Sequence, residues 1–284
     1  MVKNVIINCS EWSRIHAKML VKQQGNNSGE VPILRGKTGG IWTLEKTIKS
    51  VQDLYDMLDA DFRSAKQFWE PFYENRDRPI PFFPNKPDEN LVADVEAGRL
   101  TGGRALELGC GPGRNALYLA GHGYQVDAYD LSETAIAWAK ERAAEEQLEV
   151  HFECRSVFEL APEQEYDLVY DSGCLHHLLP HQRIPYIEMI HRALKPGGLF
   201  GMTCFAPGFG GQGGPEQFMD DWEVYREKTM RGGLAFTEEK LRYLLEDPFE
   251  CVELRPMKAM GQEDPYFGLP ILWVTMWRKP EERD

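Results

Sequence analysis

Short apolar runs alternate with helical patterns over the second part of the chain. Beyond Gly103, the apolar run at residues 104–109 is typical of a buried strand, and the apolar spacing of residues 132–147 is typical of a helix. Further runs of both kinds follow, and such alternation produces a parallel sheet with helices on both faces. The last two apolar runs, 249–257 and 270–278, have no helix between them. We therefore predict an α/β fold with a seven-stranded, mostly parallel sheet and an antiparallel C-terminal edge hairpin.

The first hundred residues follow a different pattern. Between Thr47 and Glu70 the apolar residues fall at helical spacing, which predicts one amphipathic helix. The aromatic stretch that follows carries four prolines between positions 79 and 87, and these exclude a regular helix or an interior strand there. The predicted parts of the chain are an irregular N-terminal extension (1–46), a helix with an aromatic, proline-rich lid segment (47–99), and a sheet domain (100–284) with a glycine-rich insert (207–236).

The charge and the cysteines restrict the class of protein. The chain has 32 basic and 45 acidic residues and a net charge of −13, which opposes binding to nucleic acid and to anionic membranes. Its apolar runs are all far shorter than the roughly 20 residues that span a bilayer. The six cysteines are scattered singly, without a C-x-x-C pair, which favours a reducing compartment. We expect a cytoplasmic protein without a structural metal; no oligomeric state follows from the sequence.

A glycine-rich turn follows the first strand of the predicted sheet domain. Gly109, Gly111 and Gly113 let the backbone turn sharply and let a ligand approach the main chain closely. Asp130 ends the next predicted strand, where a carboxylate can accept both hydroxyl groups of a ribose. The dinucleotide fingerprint G-x-G-x-x-G is not matched, because Arg114 stands three positions after Gly111. The sequence therefore predicts a site for a nucleoside cofactor.

Four blocks of sequence resemble the class I S-adenosylmethionine-dependent methyltransferases. In chain order they read ALELGCGPGRNALYLA, VDAYDLSETAIAWA, YDLVYDSGCLHHL and ALKPGGLFGMTCF. The resemblance covers the chain from about Leu100 to its end, and it implies a Rossmann-like sheet and S-adenosyl-L-methionine as the cofactor. The preceding block FWEPFYENRDRPIPFF, followed by PDENL, is similar to the lead-in segment of bacterial small-molecule methyltransferases of the thiol, thiopurine and tellurite group.

The resemblance implies roles for individual residues around the cofactor. The residues that would surround its methionine part are Glu107, Gly109, Cys110, Gly111, Gly113 and Asn115, with Glu107 anchoring the loop near the amino group. Asp130 would hold the ribose, and Leu131 would pack on the adenine. The residues that would border the adenine from the next loop are Ser156, Val157 and Phe158, and many members carry Asp in place of Ser156. Asp171 and Ser172 would end the fourth strand beside the transferred methyl group.

Two histidines and two aromatic residues have more than one interpretation. His176 and His177 follow the fourth strand, where the family places its active site, and either would take a proton from an attacking hydroxyl or amine or only shape the pocket. Trp69 and Tyr73 would belong to the core or to a lid, because aromatic faces attract a cationic sulfonium. Cys110 is expected to be a small buried filler and not a nucleophile.

These features together predict a methyltransferase that acts on sulfur, oxygen or nitrogen of a small molecule. Two alternatives remain open at this stage: an NAD(P)-dependent oxidoreductase on a similar sheet, and a non-catalytic cofactor-binding module. The glycines of the insert would let it move as a flap, or the insert would be an ordered surface excursion.

Overall fold

The fold was obtained as a computed structural model, which describes residues 34–35, 41–42, 47–208 and 218–281. The chain divides into two units, residues 1–54 and residues 55–284. In the first unit, β1 (Leu34–Arg35) pairs antiparallel with β2 (Ile41–Trp42). The rest of the predicted extension lies outside the described residues, and so do four glycines of the insert, at positions 210, 211, 213 and 214.

Seven strands form the sheet of the second unit. They are β3 (Gly103–Leu108), β4 (Tyr124–Asp130), β5 (His151–Cys154), β6 (Tyr166–Ser172), β7 (Leu194–Phe205), β8 (Glu250–Pro256) and β9 (Leu272–Arg278). Their order across the sheet is β5-β4-β3-β6-β7-β9-β8. Neighbouring strands from β5 to β7 are parallel, whereas β9 is antiparallel to both β7 and β8. The predicted mostly parallel sheet with its antiparallel edge hairpin is therefore confirmed.

Eight α-helices accompany the strands in the described part of the chain. They are α1 (Val51–Asp59), α2 (Ala65–Glu74), α3 (Glu89–Glu96), α4 (Arg114–Gly121), α5 (Glu133–Glu146), α6 (Arg183–Ala193), α7 (Asp221–Glu227) and α8 (Glu238–Leu245). Apolar clusters pack on both faces of the sheet. No helix within the described ranges combines the length and the apolar character needed to span a bilayer.

The single helix predicted from Thr47 to Glu70 is wrong. The chain leaves the helical path at residues 60–64, between α1 and α2, and Phe62 packs edge-on against the ring of Tyr225 with the ring centres 5.9 Å apart. The packing of Phe62 in the folded structure overrides the helical preference of the local sequence. Pro71 then lies inside α2 without breaking it, because the carbonyl of Gln67 that loses its usual N–H donor accepts instead from Arg63 Nη2 at 2.7 Å.

Candidate active site

The predicted site residues meet at the carboxyl edge of the sheet. The order of the strands reverses between β3 and β6, since the chain runs from β3 outward through β4 and β5 and then returns to β6 on the other side. Open α/β sheets bind ligands in the crevice at such a switch point. The loop at residues 109–113 leaves β3 there, and Asp130 and Asp171 stand at the ends of β4 and β6.

Asp130 holds the glycine loop in place through backbone hydrogen bonds. Its Oδ2 accepts from the N–H of Gly111 at 2.9 Å, and its Oδ1 accepts from the N–H of Ser132 at 2.9 Å. The N–H of Cys110 donates to the carbonyl of Tyr129 at 3.0 Å, which joins the loop to the same strand. Burial raises the pKa of Asp130, and the backbone N–H groups oppose that shift because they favour the carboxylate. The residue predicted to hold a ribose therefore also shapes the loop.

Two glycines of the loop lie where a side chain would collide with a neighbour. A Cβ at Gly113, whose φ is +80°, would lie 2.8 Å from Cζ of Phe152 on β5. A Cβ at Gly111, whose φ is +51°, would lie 3.0 Å from Oη of Tyr73. Left-handed backbone and close packing together explain why glycine occupies both positions. The absence of a side chain at Gly111 thus lets the loop pass directly against Tyr73 of α2.

Glu107 presents a buried carboxyl group with an unsatisfied oxygen just before the loop. The residue is 1% exposed, and its Oε2 has no hydrogen-bond partner in the described part of the chain. Burial raises the pKa of Glu107 to about 8, although the positive charge of Arg114 opposes the shift. An unpaired buried carboxyl oxygen is costly unless a ligand supplies a donor. This geometry fits an ammonium group such as the one of the methionine moiety.

The raised pKa of Glu107 makes stability depend on pH. The carboxyl group of the unfolded chain ionises near its ordinary pKa of 4.5, whereas the folded group stays protonated up to about pH 8. Between those values the unfolded state binds fewer protons, so stability falls as the pH rises. Between pH 6.5 and 8 the free energy of unfolding should fall in both the wild type and Glu107→Gln. The fall in Glu107→Gln is expected to be smaller than that in the wild type by about 2 kcal/mol. Urea unfolding at several pH values measures this difference.

An exposed carboxylate provides the control for that measurement. Glu163 is exposed, and Glu163→Gln should reproduce the wild-type pH dependence. The interpretation of Glu107 is wrong if Glu107→Gln and the wild type lose stability in parallel over the same pH interval.

A buried polar network beneath the loop was not predicted from the sequence. Arg114 Nη2 donates to Ser172 Oγ at 2.8 Å, and Arg114 Nη1 lies 2.6 Å from Asp88 Oδ1. Asp88 also accepts from the hydroxyl of Tyr170 at 2.8 Å, and Asn115 Oδ1 accepts from the N–H of Asp88 at 2.9 Å. Asn115 and Ser172, both predicted to contact the cofactor, are thus tied to one another through Arg114 and Asp88. The only sequence signal for this network was the PDENL block before the sheet domain.

Asp171 uses both of its carboxyl oxygens within the fold. Its Oδ1 accepts from the N–H of Cys174 at 2.6 Å, and its Oδ2 accepts from the N–H of Leu175 at 2.9 Å and from the hydroxyl of Tyr186 at 2.8 Å. Complete burial raises the pKa of Asp171 to about 6, and these hydrogen bonds oppose the shift. Asp171 therefore positions the short turn, residues 175–177, that carries the two candidate histidines.

The predicted adenine-side residues lie in the loop after β5. Ser156 Oγ accepts from the N–H of Phe158 at 3.3 Å and begins a single helical turn, Val157–Glu159. Val157 is buried, whereas Phe158 is 44% exposed. The carbonyl of Leu131, which follows Asp130, accepts from Cys154 Sγ at 3.4 Å. The geometry leaves the Phe158 ring free to meet a ligand, while Ser156 is occupied with the turn.

The histidine pair forms one hydrogen-bonded unit. The Nε2 atoms of His176 and His177 lie 3.0 Å apart, and Nδ1 of His176 accepts from the N–H of Phe205 at 3.3 Å. The ring of His176 also stacks on Phe205, with centroids 4.0 Å apart. Burial lowers the pKa of His176 well below its ordinary value and that of His177 to about 4, so both rings are neutral near pH 7.

Helix α2 covers the loop and reaches the histidines. The hydroxyl of Tyr73 faces Gly111, the ring of Trp69 stacks near Tyr73 at 6.0 Å, and Trp69 meets His177 edge-on at 4.8 Å. A groove of about 280 Å³ elsewhere on the second unit is lined by none of the predicted site residues.

Burial and the nearby carboxylate of Asp130 raise the pKa of the Tyr73 hydroxyl, which stays protonated. The two predicted lid aromatics therefore connect the loop with the histidine pair.

Glu70 fastens α2 to the start of α5. Its carboxylate accepts from the N–H of Glu133 at 2.8 Å and from the N–H of Thr134 at 3.2 Å, while Ser132 Oγ accepts from the N–H of Ala135 at 3.1 Å. These three N–H groups belong to the first turn of α5 and have no partner within the helix. Glu70 of α2 thus satisfies two backbone N–H groups at the start of α5, the helix that follows Asp130.

Removing the carboxylate of Glu70 is expected to loosen the attachment of α2 to α5. In Glu70→Ala the first two N–H groups of α5 lose their acceptor, which costs about 1 to 2 kcal/mol. Amide exchange over residues 65–74 should become about tenfold faster. Glu74→Ala, a change of the same kind at the exposed end of α2, should leave exchange as in the wild type. Equal exchange rates in Glu70→Ala and Glu74→Ala would contradict the fastening role.

Part of the chain is similar to a known family of protein domains. Residues 105–198 match a family described as a methyltransferase domain. Residues 105–198 therefore belong to a methyltransferase domain. This confirms the family that the four sequence blocks predicted. Matching residues include the glycine loop, Asp130 and the histidine pair.

The curated relatives match only part of this chain, and the match covers only part of their own length. An uncharacterised methyltransferase of Schizosaccharomyces pombe is 39% identical over 93 residues, which are 32% of this chain and 63% of the relative. The chain spans 57% to 63% of the length of the first relatives that it matches.

Solved structures share the fold of the methyltransferase domain. A structure concerned with the conversion of a disulfide bond into a thioacetal group during echinomycin biosynthesis aligns with a TM-score of 0.58, at 23% identity, over 77% of this chain and 94% of its own. The 1,6-didemethyltoxoflavin-N1-methyltransferase of Burkholderia thailandensis, with bound 1,6-didemethyltoxoflavin and S-adenosylhomocysteine, aligns with a TM-score of 0.54, at 22% identity, over 90% and 99% of the two chains.

Proposed function

We propose that the protein is an S-adenosylmethionine-dependent methyltransferase that acts on sulfur, oxygen or nitrogen of a small molecule. The observation that carries this proposal is the glycine loop, which Asp130 holds through the N–H of Gly111 at the switch point of the sheet. The unsatisfied oxygen of Glu107 lies at the start of the same loop. When bound, the cofactor would supply a methyl group on a positively charged sulfur.

The residues around the loop fit the parts of this cofactor. Glu107 and the backbone of the loop would hold the methionine moiety, and Asp130 with Leu131 would hold the ribose and one face of the adenine. The half-exposed ring of Phe158 would lie at the adenine as well. Tyr73 and Trp69 would place aromatic surface near the sulfonium, an attraction of about 0.5 to 2 kcal/mol. The chain itself then aligns the acceptor with the methyl group and excludes water.

The closed position of α2 supports a small acceptor. Tyr73 lies against Gly111, Trp69 lies against His177, and Glu70 fastens the helix to α5. A protein acceptor needs an open cleft, whereas this helix covers the site. The net charge of −13 also opposes a nucleic-acid acceptor. An acceptor that fits beneath the lid is therefore the best match.

Two measurements test the proposed function. Isothermal titration of the full chain with S-adenosylhomocysteine, NAD and NADP should give binding only for S-adenosylhomocysteine. Tight nicotinamide binding without a response to S-adenosylhomocysteine would replace the proposal with an oxidoreductase. Mass spectrometry with S-adenosylmethionine and a panel of thiols, phenols and amines should then detect a methylated product. Cofactor binding without any methylated product would favour a non-catalytic binding module.

A further inference from the structure

The hydrogen bonds of the histidine pair determine where each ring carries its proton. Nδ1 of His176 accepts from the backbone N–H of Phe205, so this nitrogen holds a lone pair. A neutral His176 must then carry its proton on Nε2, which lies 3.0 Å from Nε2 of His177. Two nitrogens at that distance need one donor and one acceptor, so Nε2 of His177 accepts. The single proton of a neutral His177 is therefore on Nδ1.

The protonated nitrogen of His177 is open to a ligand. Within the described residues Nδ1 of His177 has no hydrogen-bond partner, and it is absent from the fully buried polar atoms that lack one. The residue as a whole is half-buried. Trp69 lies on one side of the ring at 4.8 Å. On another side Gly233 has no side chain, and a Cβ there would lie 3.4 Å from Cε1 of His177.

The surroundings of the pair give neither ring the partner of a general base. A catalytic histidine is usually oriented by a carboxylate that stabilises its charged form. In the described part of the chain, the side-chain hydrogen bonds of His176 and His177 join the two rings to each other and to the N–H of Phe205. Their backbone groups bond to Cys174 and Leu234: the N–H of His177 donates to the carbonyl of Cys174 at 2.9 Å, and the carbonyl of His176 accepts from the N–H of Leu234 at 2.8 Å. The rings that pack on them belong to Phe205 and Trp69.

We propose that His177 presents a fixed Nδ1–H donor to the methyl acceptor and does not remove its proton. This inference rests on the proposed function. The acceptor would carry a lone pair for this donor, as a phenolate or thiolate does. Its own proton would leave to water before transfer. Its electron pair would then form the new bond to the methyl carbon as the carbon–sulfur bond breaks toward sulfur. His176 acts as a positioning residue, because it fixes the tautomer of His177.

The tautomer can be measured without any ligand. In full-length protein labelled with ¹⁵N-histidine, two-bond ¹H–¹⁵N spectra at pH 7.5 should show the proton of His177 on Nδ1 and that of His176 on Nε2. His176→Phe should remove the restraint and give His177 a mixture of both tautomers. A His177 ring protonated on Nε2 in the wild type overturns the assignment, whether or not the protein transfers methyl groups.

Two substitutions of His177 separate a donor from a base. The amide of asparagine places a donor near the position of Nδ1 but cannot take a proton at neutral pH. With S-adenosylmethionine and para-substituted phenols and thiophenols, His177→Asn should keep kcat/KM within about tenfold of the wild type, while His177→Phe raises KM by about 10- to 100-fold. A general base would instead make both variants lose kcat by about 10²- to 10⁴-fold, which would overturn the proposal.

An exposed histidine serves as the control for these assays. His122, whose ring lies 2.7 Å from the carbonyl of Tyr118 in its own helix, can be replaced by asparagine without an effect on turnover. Unchanged melting temperatures would show that the variants fold. A wild-type protein that methylates no member of the panel contradicts the proposed function, whereas the spectra decide the role of His177 separately.

Discussion

Replacing Asp130 with asparagine is expected to weaken the binding of S-adenosylhomocysteine by about 100-fold. The two carboxyl oxygens accept from the N–H groups of Gly111 and Ser132, and an amide can accept only on its oxygen. The NH₂ group of the asparagine would face one of these two backbone N–H groups. That buried N–H group would then have no acceptor, which costs about 1 to 3 kcal/mol of stability. A ribose would also lose a charged acceptor. The displaced loop and the lost acceptor for the ribose together are expected to weaken the binding free energy by about 3 kcal/mol, which corresponds to this change in Kd and is measured by isothermal titration.

Asp127 on the same strand provides the matched control. Its carboxylate pairs with Arg104 and accepts from the hydroxyl of Tyr166, both at 2.9 Å, and it does not contact the loop. Asp127→Asn should lower stability without a change in affinity for S-adenosylhomocysteine. The role of Asp130 is contradicted if Asp130→Asn binds as the wild type does. It is equally contradicted if Asp127→Asn weakens binding by the same factor, because general loosening would then explain both.

The sheet and the loop could be predicted because their signals are local in the sequence. Each buried strand is a short run rich in apolar residues, and the glycines at 109, 111 and 113 stand directly after the first of them. Asp130 ends the next run, so parallel pairing with β3 brings it to the same edge. The N-caps Ser132 and Thr237 follow the same logic, since each accepts from the N–H three residues later. Such features need no long-range information.

The polar network beneath the loop could not be predicted because its partners are distant in the sequence. Asp88, Asn90 and Asp94 are all buried in or beside α3, so this helix lacks the polar face by which periodicity identifies a helix. Arg114 was noted only as a departure from the dinucleotide fingerprint, yet it joins Asp88 to Ser172. A buried charge is tolerated when it is paired, and pairing follows from the folded structure.

The histidine pair shows a different limit of the sequence. The adjacent residues His176 and His177 indicate chemistry, and their place after β6 indicates the active site, but their protons depend on a backbone N–H of Phe205 on another strand. Asp171 was predicted to stand beside the methyl group, and in the structure it supports the turn that carries both histidines. From the sequence alone, the histidines and Asp171 are each compatible with the role of a base, a hydrogen-bond donor or a structural residue. The hydrogen bonds of the folded structure distinguish these roles.

Replacing Gly113 with alanine is expected to lower the free energy of unfolding by about 2 to 5 kcal/mol. Its φ of +80° is a left-handed conformation, which costs an L-residue about 1 to 2 kcal/mol. The added Cβ would also lie 2.8 Å from Phe152 on β5 and 3.1 Å from Ala139 on α5, and overpacking of this kind costs about 1 to 3 kcal/mol. Urea unfolding measures the sum as a lower midpoint at an unchanged slope.

Gly123 separates the two causes of this loss. Its φ is +86°, close to that of Gly113, but a Cβ there would meet nothing within 4 Å. Gly123→Ala therefore carries only the conformational cost of about 1 to 2 kcal/mol. The difference between the two variants measures how tightly the loop is packed between α5 and β5. Equal losses in Gly113→Ala and Gly123→Ala would mean that the turn requires glycine for its backbone alone, and that the loop has room to move away from Phe152.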